Sequence, residues 1–324
     1  MKYYIAFDGG GSKLQGVLFD ETYTILAFGR SGGVNGTVHS AAEAERHMED
    51  CLCQMLEQAG NQIEEIEILF ASQDSERYER AIRRHIRCKH FLSSGEGSIG
   101  ALVCGIDTGI CVLSGTGSDV FYVRDGIEKD VIGGWGYLLS DDGSGVWIGQ
   151  QALRFMMRVF EKLEQPGALY SILSEEYGIE SRAHLYDIIY YRQKAPAFQI
   201  GSYCKAVEKA AGQGDRRAIS ILQEAGVRLA EECMEMIRTR NLPRDIPVCL
   251  TGSVFRYCRD MRDGFEGCLK RFYPDISVYR PMFEPVIGGI FLCMIMHGQR
   301  INTGDWAVYQ KKYKDFLIEK GTVK

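Results

Sequence analysis

The chain has 324 residues, 45% of them hydrophobic and 25% charged, with a net charge of −5. That length and composition suit a globular chain of two domains, and the excess of acid argues against nucleic acid or an anionic membrane as a partner. The opening MKYYIAFDGG reaches an aspartate at position 8 and does not read as a secretory leader. The most apolar late stretch, PVIGGIFLCMIMHG, has 14 residues against the ~18 that a membrane span needs. The 11 cysteines form no CxxC pair and read as reduced, small core residues, so a cytoplasmic protein is expected.

KYYIAF, LQGVLFD and TILAFG read as three short strands, the first two joined by the tight turn DGGGSK from Asp8 to Lys13. Ser40 and Glu43 make an S-x-x-E capping box ahead of a helix whose residues Ala44, Met48, Leu52, Met55 and Ala59 keep helical spacing. IEILFA (66–71) reads as a buried strand, and the arginine-rich stretch from Glu76 to Arg87 as a helix. A strand at HFL (90–92) then runs into the loop SSGEG, with a short helix near Ile99 to Cys104. Glu96 is the carboxylate of that loop and a candidate general base, since strand ends feeding loops are usual places to present catalytic side chains.

From Ile110 the pattern starts again: ICVLSGTGSDVFYV is strand, glycine turn, strand. Asp8-Gly-Gly-Gly-Ser12 and Ser114-Gly-Thr-Gly-Ser118 share both outer glycines and the serine, 106 residues apart, which suggests an internal duplication. From Gly143 to Thr239 the pattern is almost all helical; PVCLTG (247–252) and SVYR (277–280) read as strands, and two helices follow from Val286. Strand-turn-strand units followed by helices, twice over, predict two α/β domains facing each other across a cleft.

Glycine turns between strands let backbone N–H groups approach an anion, because no Cβ blocks the way. Gly10, Gly11, Ser12 and Lys13 in the first turn, and Gly115, Thr116, Gly117 and Ser118 in the second, are therefore candidate phosphate-binding residues, a pair of jaws for a polyphosphate. Asp8, at the end of the first strand, is placed to hold Mg²⁺ through water. Thr251-Gly252-Ser253 and Gly288-Gly289 offer further surfaces for an adenine and a ribose. Neither hairpin is a P-loop, for GxxxxGK[ST] does not occur.

Through these turns and the motifs that follow them, the chain resembles the BadF/BadG/BcrA/BcrD ATPase family, and within it the N-acetylglucosamine kinase-like branch of the actin-like sugar kinase superfamily. The resemblance is carried by DGGGSK, LSGTGSDV (113–120), GGWGYLLSDDGSGVWIGQQAL (133–153), SYCKAVEKAAGQGD (202–215), LTGSVF (250–255) and VIGGIFLC (286–293). It implies an actin-like ATPase (ribonuclease H-like) α/β fold, with a first domain over 1–108 completed by a C-terminal helix at 303–324, and a second over 109–302 with a helical insertion. It also implies ATP and Mg²⁺ as cofactors, phosphorylation of an N-acetylated amino sugar at its 6-hydroxyl, and a homodimer. By the same resemblance Gly252, Ser253 and Gly288 hold adenosine, and Asn35, Ser94, Gly134, Trp135, Gly136 and Asp141 lie near the sugar. Read without it, Trp135 is equally a core residue, Asp141 a charge at a helix N-terminus, and Asn35 a turn former.

The chain departs from the family at one critical place. Kinases of this branch carry a catalytic aspartate in a context like T-D-A-A-G-S-I; aligning G-S-I with Gly97, Ser98 and Ile99 puts Ser94 there. A serine takes no proton at neutral pH unaided, which leaves Glu96 and then Asp141 to serve as base. A lost base costs about 10²–10⁴-fold in rate, so a slow kinase is one outcome and a sugar- or nucleotide-binding sensor or regulator without turnover is another. Ser72-Gln73 is a second departure, where related chains carry small glycines behind the sugar. A third reading, an iron–sulfur activator of a 2-hydroxyacyl-CoA dehydratase, is disfavoured because neither an IGGQD-like motif nor a glycine-flanked cysteine segment occurs.

Overall fold

A computed structural model describes residues 1–324 apart from 12, 37–38, 61, 72–74, 192–195, 302 and 319–324. Ser12, Ser72 and Gln73, singled out in the sequence, lie outside the described residues. In chain order the elements begin β1 (Tyr3–Gly9), β2 (Leu14–Asp20), β3 (Ile25–Ser31), α1 (Ala41–Gln58), β4 (Glu65–Ala71), α2 (Ser75–Ile82), β5 (Arg87–Ser93) and α3 (Glu96–Val103). They continue with β6 (Gly109–Ser114), β7 (Ser118–Arg124), β8 (Ile127–Gly133), α4 (Gly145–Phe160), α5 (Ala168–Tyr177), α6 (Arg182–Tyr186), α7 (Pro196–Ser202), α8 (Cys204–Gly212) and α9 (Arg216–Thr239). The last are β9 (Val248–Thr251), α10 (Ser253–Tyr257), α11 (Arg259–Phe272), β10 (Val278–Tyr279), α12 (Val286–Met296) and α13 (Trp306–Lys312). The chain divides into two compact units, one of residues 1–111, 122–129 and 279–324, the other of residues 112–121 and 130–278.

The first sheet has the order β3-β2-β1-β4-β5. β1 runs antiparallel to β2 and parallel to β4, and β5 is parallel to β4. Both faces of this sheet are covered, which is why its strands read as nearly unbroken apolar runs rather than as an alternation. Alternate side chains still go to opposite faces. Ile5 and Phe7 join Met48, Leu52 and Met55 of α1 and Tyr78, Ala81 and Ile82 of α2. Tyr4 and Ala6 join Leu102 and Val103 of α3 and Ile287, Ile290 and Phe291 of α12. The chain returns to this unit at Tyr279, where the apolar residues of α12 find their partners on the first sheet.

The capping box forms as read: Ser40 Oγ accepts from the Glu43 N–H, and the Glu43 carboxylate accepts from the Ser40 N–H at 3.0 Å. The helix expected over Glu76 to Arg87 is shorter. α2 ends at Ile82, and Arg87 opens β5, where it sits opposite Glu65 of β4. Extending the helix would remove the first pair of that parallel ladder.

The second sheet has the order β10-β9-β6-β7-β8. Written from its other edge this is the first sheet's order, with β6 to β10 in the places of β1 to β5, so the duplication suggested by five residues extends to topology. β8 has no counterpart in the sequence reading: Ile127 and Val131 face out while Glu128 and Asp130 are half-buried, the reverse of an amphipathic strand. The stretch 143–239 is helical as read, from α4 to α9. Asp215 caps α9 by accepting from the Arg217 and Ala218 N–H groups at 2.9 and 3.1 Å. Cysteines such as Cys51, Cys233 and Cys293 are buried core thiols. No helix among the described residues is long and apolar enough to cross a membrane.

Candidate active site

In the first unit the turn after β1 is closed by the Gly10 N–H donating to the Lys13 carbonyl at 3.0 Å. The loop after β3 folds onto it: the Val34 and Asn35 N–H groups donate to the Gly10 carbonyl at 2.9 and 3.3 Å. His39 Nε2 lies 2.9 Å from the Gly11 carbonyl. Gly33 must be glycine, for a Cβ there would overlap the Gly11 carbonyl. The Cβ position of Gly10 meets nothing within 4 Å, so the turn offers an open, bare-backbone face. Lys13 Nζ donates to Gln15 Oε1 at 2.7 Å and Glu284 Oε2 at 3.3 Å. Asp8 is half-buried; that burial pushes its pKa up to about 6, with Lys13 opposing the shift and Glu284 adding to it.

In the second unit the turn after β6 is built the same way. The N-terminus of α4 packs onto it, the Gly145 and Val146 N–H groups donating to the Gly115 and Thr116 carbonyls at 2.8 and 3.2 Å. Ser114 Oγ donates to the Gly143 carbonyl and Ser118 Oγ to the Asp142 carbonyl, both at 2.9 Å. The Asp141 carboxylate accepts the Ser118 N–H, and Asp141 itself is 8% exposed with a left-handed φ of 66°. Burial raises its pKa and the Ser118 N–H opposes the rise. A Cβ at Gly117 would lie 3.0 Å from Asp141 Oδ2, so the glycine is what lets the carboxylate approach. Asp141 is therefore not a plain charge at a helix N-terminus: Ser144 caps α4, and the Asp141 carboxylate bonds the turn after β6.

Gly252, with φ 93°, packs on the Ser114 carbonyl, and Ser253 opens α10 on the surface. Gly134 and Gly136 adopt left-handed φ values of 72° and 81° on either side of Trp135, which is 77% exposed and so is no core residue. Gly288 lies in α12 in the first unit, its Cβ position 2.6 Å from Ile99 Cγ2, where it lets α12 and α3 approach.

Ser94 also lies in the first unit. It is 2% exposed, its Oγ has no hydrogen-bond partner among the described residues, and its N–H donates to the Ala71 carbonyl at 3.0 Å. Glu96 is the first residue of α3 and half-buried. A carboxylate the sequence did not single out meets this loop: Glu128 of β8 accepts the Gly97 N–H at 3.1 Å, while its own N–H donates to Ser98 Oγ at 2.9 Å. Its side chain satisfies a helix-terminal donor that Gly95, which has none, leaves open. No local pattern announces this, since the partners are some 30 residues apart.

A cavity of about 250 Å³ opens beside Asp141, lined by Tyr137–Asp142 and by Val146, Trp147, Gln150, Gln151 and Arg154 of α4. Close by, Glu232 of α9 feels Asp142, Asp119 and Asp141; burial first, then these three charges, push its pKa up to about 7. A carboxyl whose folded-state pKa lies above its ordinary 4.5 binds more protons folded than unfolded between pH 4.5 and about 7, so stability falls as pH rises through that window. Glu232→Gln is therefore expected to stabilise the protein by about 1–3 kcal/mol at pH 8, with the gain vanishing near pH 4.5. Thermal midpoints of both proteins across that range check the sign.

Among proteins of known function, the chain is 26% identical over 305 residues to the N-acetylmuramic acid/N-acetylglucosamine kinase of Clostridium acetobutylicum, covering 90% of this chain and 98% of that one. Its fold matches a structure from Chromobacterium violaceum with a provisional N-acetylglucosamine kinase designation, at a TM-score of 0.69, 22% identity and coverages of 90% and 99%. It also matches a ROK family glucokinase from Streptomyces griseus, solved with glucose and AMPPNP, at a TM-score of 0.51, 15% identity and coverages of 89% and 97%. The fold is the actin-like α/β fold expected from the sequence. The match to the family itself runs over residues 7–292, through both glycine turns and the Asp141 loop, and the chain belongs to the BadF/BadG/BcrA/BcrD ATPase family.

Proposed function

We propose that the chain is an ATP-dependent kinase that phosphorylates a hydroxyl, the 6-hydroxyl, of an N-acetylated amino sugar. One observation carries this reading. A glycine turn of the kind that receives phosphate oxygens, Gly115–Ser118, is hydrogen-bonded to a buried carboxylate of the kind that receives a hydroxyl proton, Asp141. The name of the Clostridium acetobutylicum relative supports the substrate class. Gly252, packed on the Ser114 carbonyl, and Ser253 are the surfaces for the donor's adenosine.

Phosphoryl transfer passes through a loose transition state, so positioning and charge supply most of the catalysis. The backbone N–H groups of the Gly115–Ser118 turn hold phosphate oxygens. Lys13, fixed by Gln15 and Glu284, contributes a cation whose position is already set. Among the described residues no three His, Cys, Asp or Glu side chains cluster as a metal set. That suits Mg²⁺, which binds through one or two carboxylates together with waters and phosphates. Asp8, a half-buried carboxylate beside the open face of Gly10, fits that role. An ion held there by Asp8 would supply neutralisation of phosphate charge. Asp141 orients the acceptor hydroxyl and takes its proton; its raised pKa makes it the stronger base, and the Ser118 N–H holds it in place.

The assay is ADP formation with Mg-ATP, with and without N-acetylglucosamine or N-acetylmuramic acid. Sugar-dependent turnover is expected, with Asp141→Asn lowering kcat by about 10²-fold. If Glu96→Gln removes the turnover and Asp141→Asn does not, the proton goes to Glu96. One observation favours the second reading, a sensor: the side chain at the family's catalytic position is a sealed serine. Calorimetric binding of sugar or nucleotide without ADP formation would decide for it.

A further inference from the structure

The cavity beside Asp141 has a polarity that phosphoryl transfer does not use. α4 lines it with Val146, Gln150 and Arg154, spaced four residues apart, so one helix face borders it for two turns, about 12 Å. The carboxylates Asp141 and Asp142 stand at the N-terminal end of that border and the Arg154 guanidinium at the other. The side chains of Gln150, Gln151 and Arg154 make no hydrogen bond or ion pair among the described residues. One turn further on, Arg158 is bound to Glu164 at 2.8 Å, so an unpaired guanidinium is not a general property of this helix. Two amides and a guanidinium that line a cavity with no internal partner are donors presented to something that enters it.

We infer that Arg154 reads a carboxylate on the sugar. The substrate class is an N-acetylated amino sugar carrying a carboxyalkyl ether, as N-acetylmuramic acid does, with its hydroxyl end at Asp141 and its carboxylate at Arg154. This deepens the kinase reading and rests on it. A guanidinium matches a carboxylate with two parallel N–H donors, a pairing that a neutral hexose cannot return. A uronic acid would place its carboxylate where the acceptor 6-hydroxyl has to be, whereas an ether at another ring carbon leaves that hydroxyl in place. At about 250 Å³ the cavity lies at the small end of ligand pockets, the size for one monosaccharide rather than a glycan strand. Trp147 supplies an aromatic surface for the ring's C–H face.

The test measures kcat/KM for N-acetylmuramic acid and for N-acetylglucosamine in the wild type, Arg154→Gln and Arg154→Lys. Calorimetric titration of each sugar without nucleotide runs alongside. Arg154 is exposed, so neither variant threatens the fold. The ratio of the two kcat/KM values is expected to fall by about 10- to 100-fold in Arg154→Gln, with part restored in Arg154→Lys, which keeps the charge and loses the fork. An unchanged ratio overturns the inference, as does a wild type that ignores N-acetylmuramic acid. Turnover of neither sugar sinks the kinase reading alone, because the titrations still decide. Binding of N-acetylmuramic acid weakened selectively in Arg154→Gln sustains the carboxylate site; equal binding by wild type and variant removes it.

Discussion

Replacing Asp8 with asparagine is expected to lower sugar-dependent ADP formation by about 10³- to 10⁴-fold, because losing a bound divalent cation forfeits several kcal/mol of transition-state charge stabilisation and each 1.36 kcal/mol is tenfold. The amide keeps the shape and hydrogen-bonding capacity of the side chain and removes its charge. The fold should not suffer. Burial already works against the ionised carboxylate, which is why its pKa stands near 6, and a neutral amide relieves that cost. Steady-state ADP release and a thermal midpoint on the same preparation separate the two effects. Activity lost with the midpoint kept or raised identifies a metal-holding residue; a joint loss would show that Asp8 only supports the β1–β2 turn. Excess Mg²⁺ is expected to restore part of the rate.

The second large effect is structural. Gly252 has φ 93° and ψ 163°, a region essentially closed to residues with a Cβ, and that Cβ would overlap the Ser114 carbonyl. Gly252→Ala therefore combines backbone strain with overpacking and is expected to cost about 3–5 kcal/mol. Denaturant titration gives the loss. Because the displaced group is the first residue of the Ser114–Ser118 turn, nucleotide affinity should fall with stability even under conditions where the variant is folded. A folded Gly252→Ala with native nucleotide affinity would show that the two turns are independent.

These two positions were legible because glycine and aspartate at turns carry their meaning locally. DGGGSK, SGTGS and TGS announce backbone that must approach something closely. The same holds for the Ser40–Glu43 cap, whose partners are three residues apart. What escaped was whatever depends on one element arriving at another. β8 hides because its isoleucine and valine at 127 and 131 face outward, so the periodicity points the wrong way. Glu128 meets the N-terminus of α3, and Glu232 feels three aspartates, one in β7 and two in the loop after β8; neither has a neighbour in sequence that hints at it. Gln150, Gln151 and Arg154 line a cavity only because the Tyr137–Asp142 loop borders it with them. At Ser94 the alignment with the family identified the residue, but its seclusion comes from the folded loop.

The first sheet is finished by segments made at opposite ends of translation. The core on its α1 side draws every buried residue from between Ile5 and Cys88. The core on its other side sets Tyr4, Ala6, Phe19 and Phe70 beneath Phe283, Ile287, Ile290, Phe291 and Tyr313. A ribosome therefore completes one face of this sheet early and leaves the other covered only by α3 until nearly the whole polypeptide has emerged, contrary to the usual order in which an N-terminal domain closes first. For most of its synthesis the nascent chain shows part of an apolar sheet to any holdase, and a premature stop just short of Phe283 would leave that face incompletely covered for good.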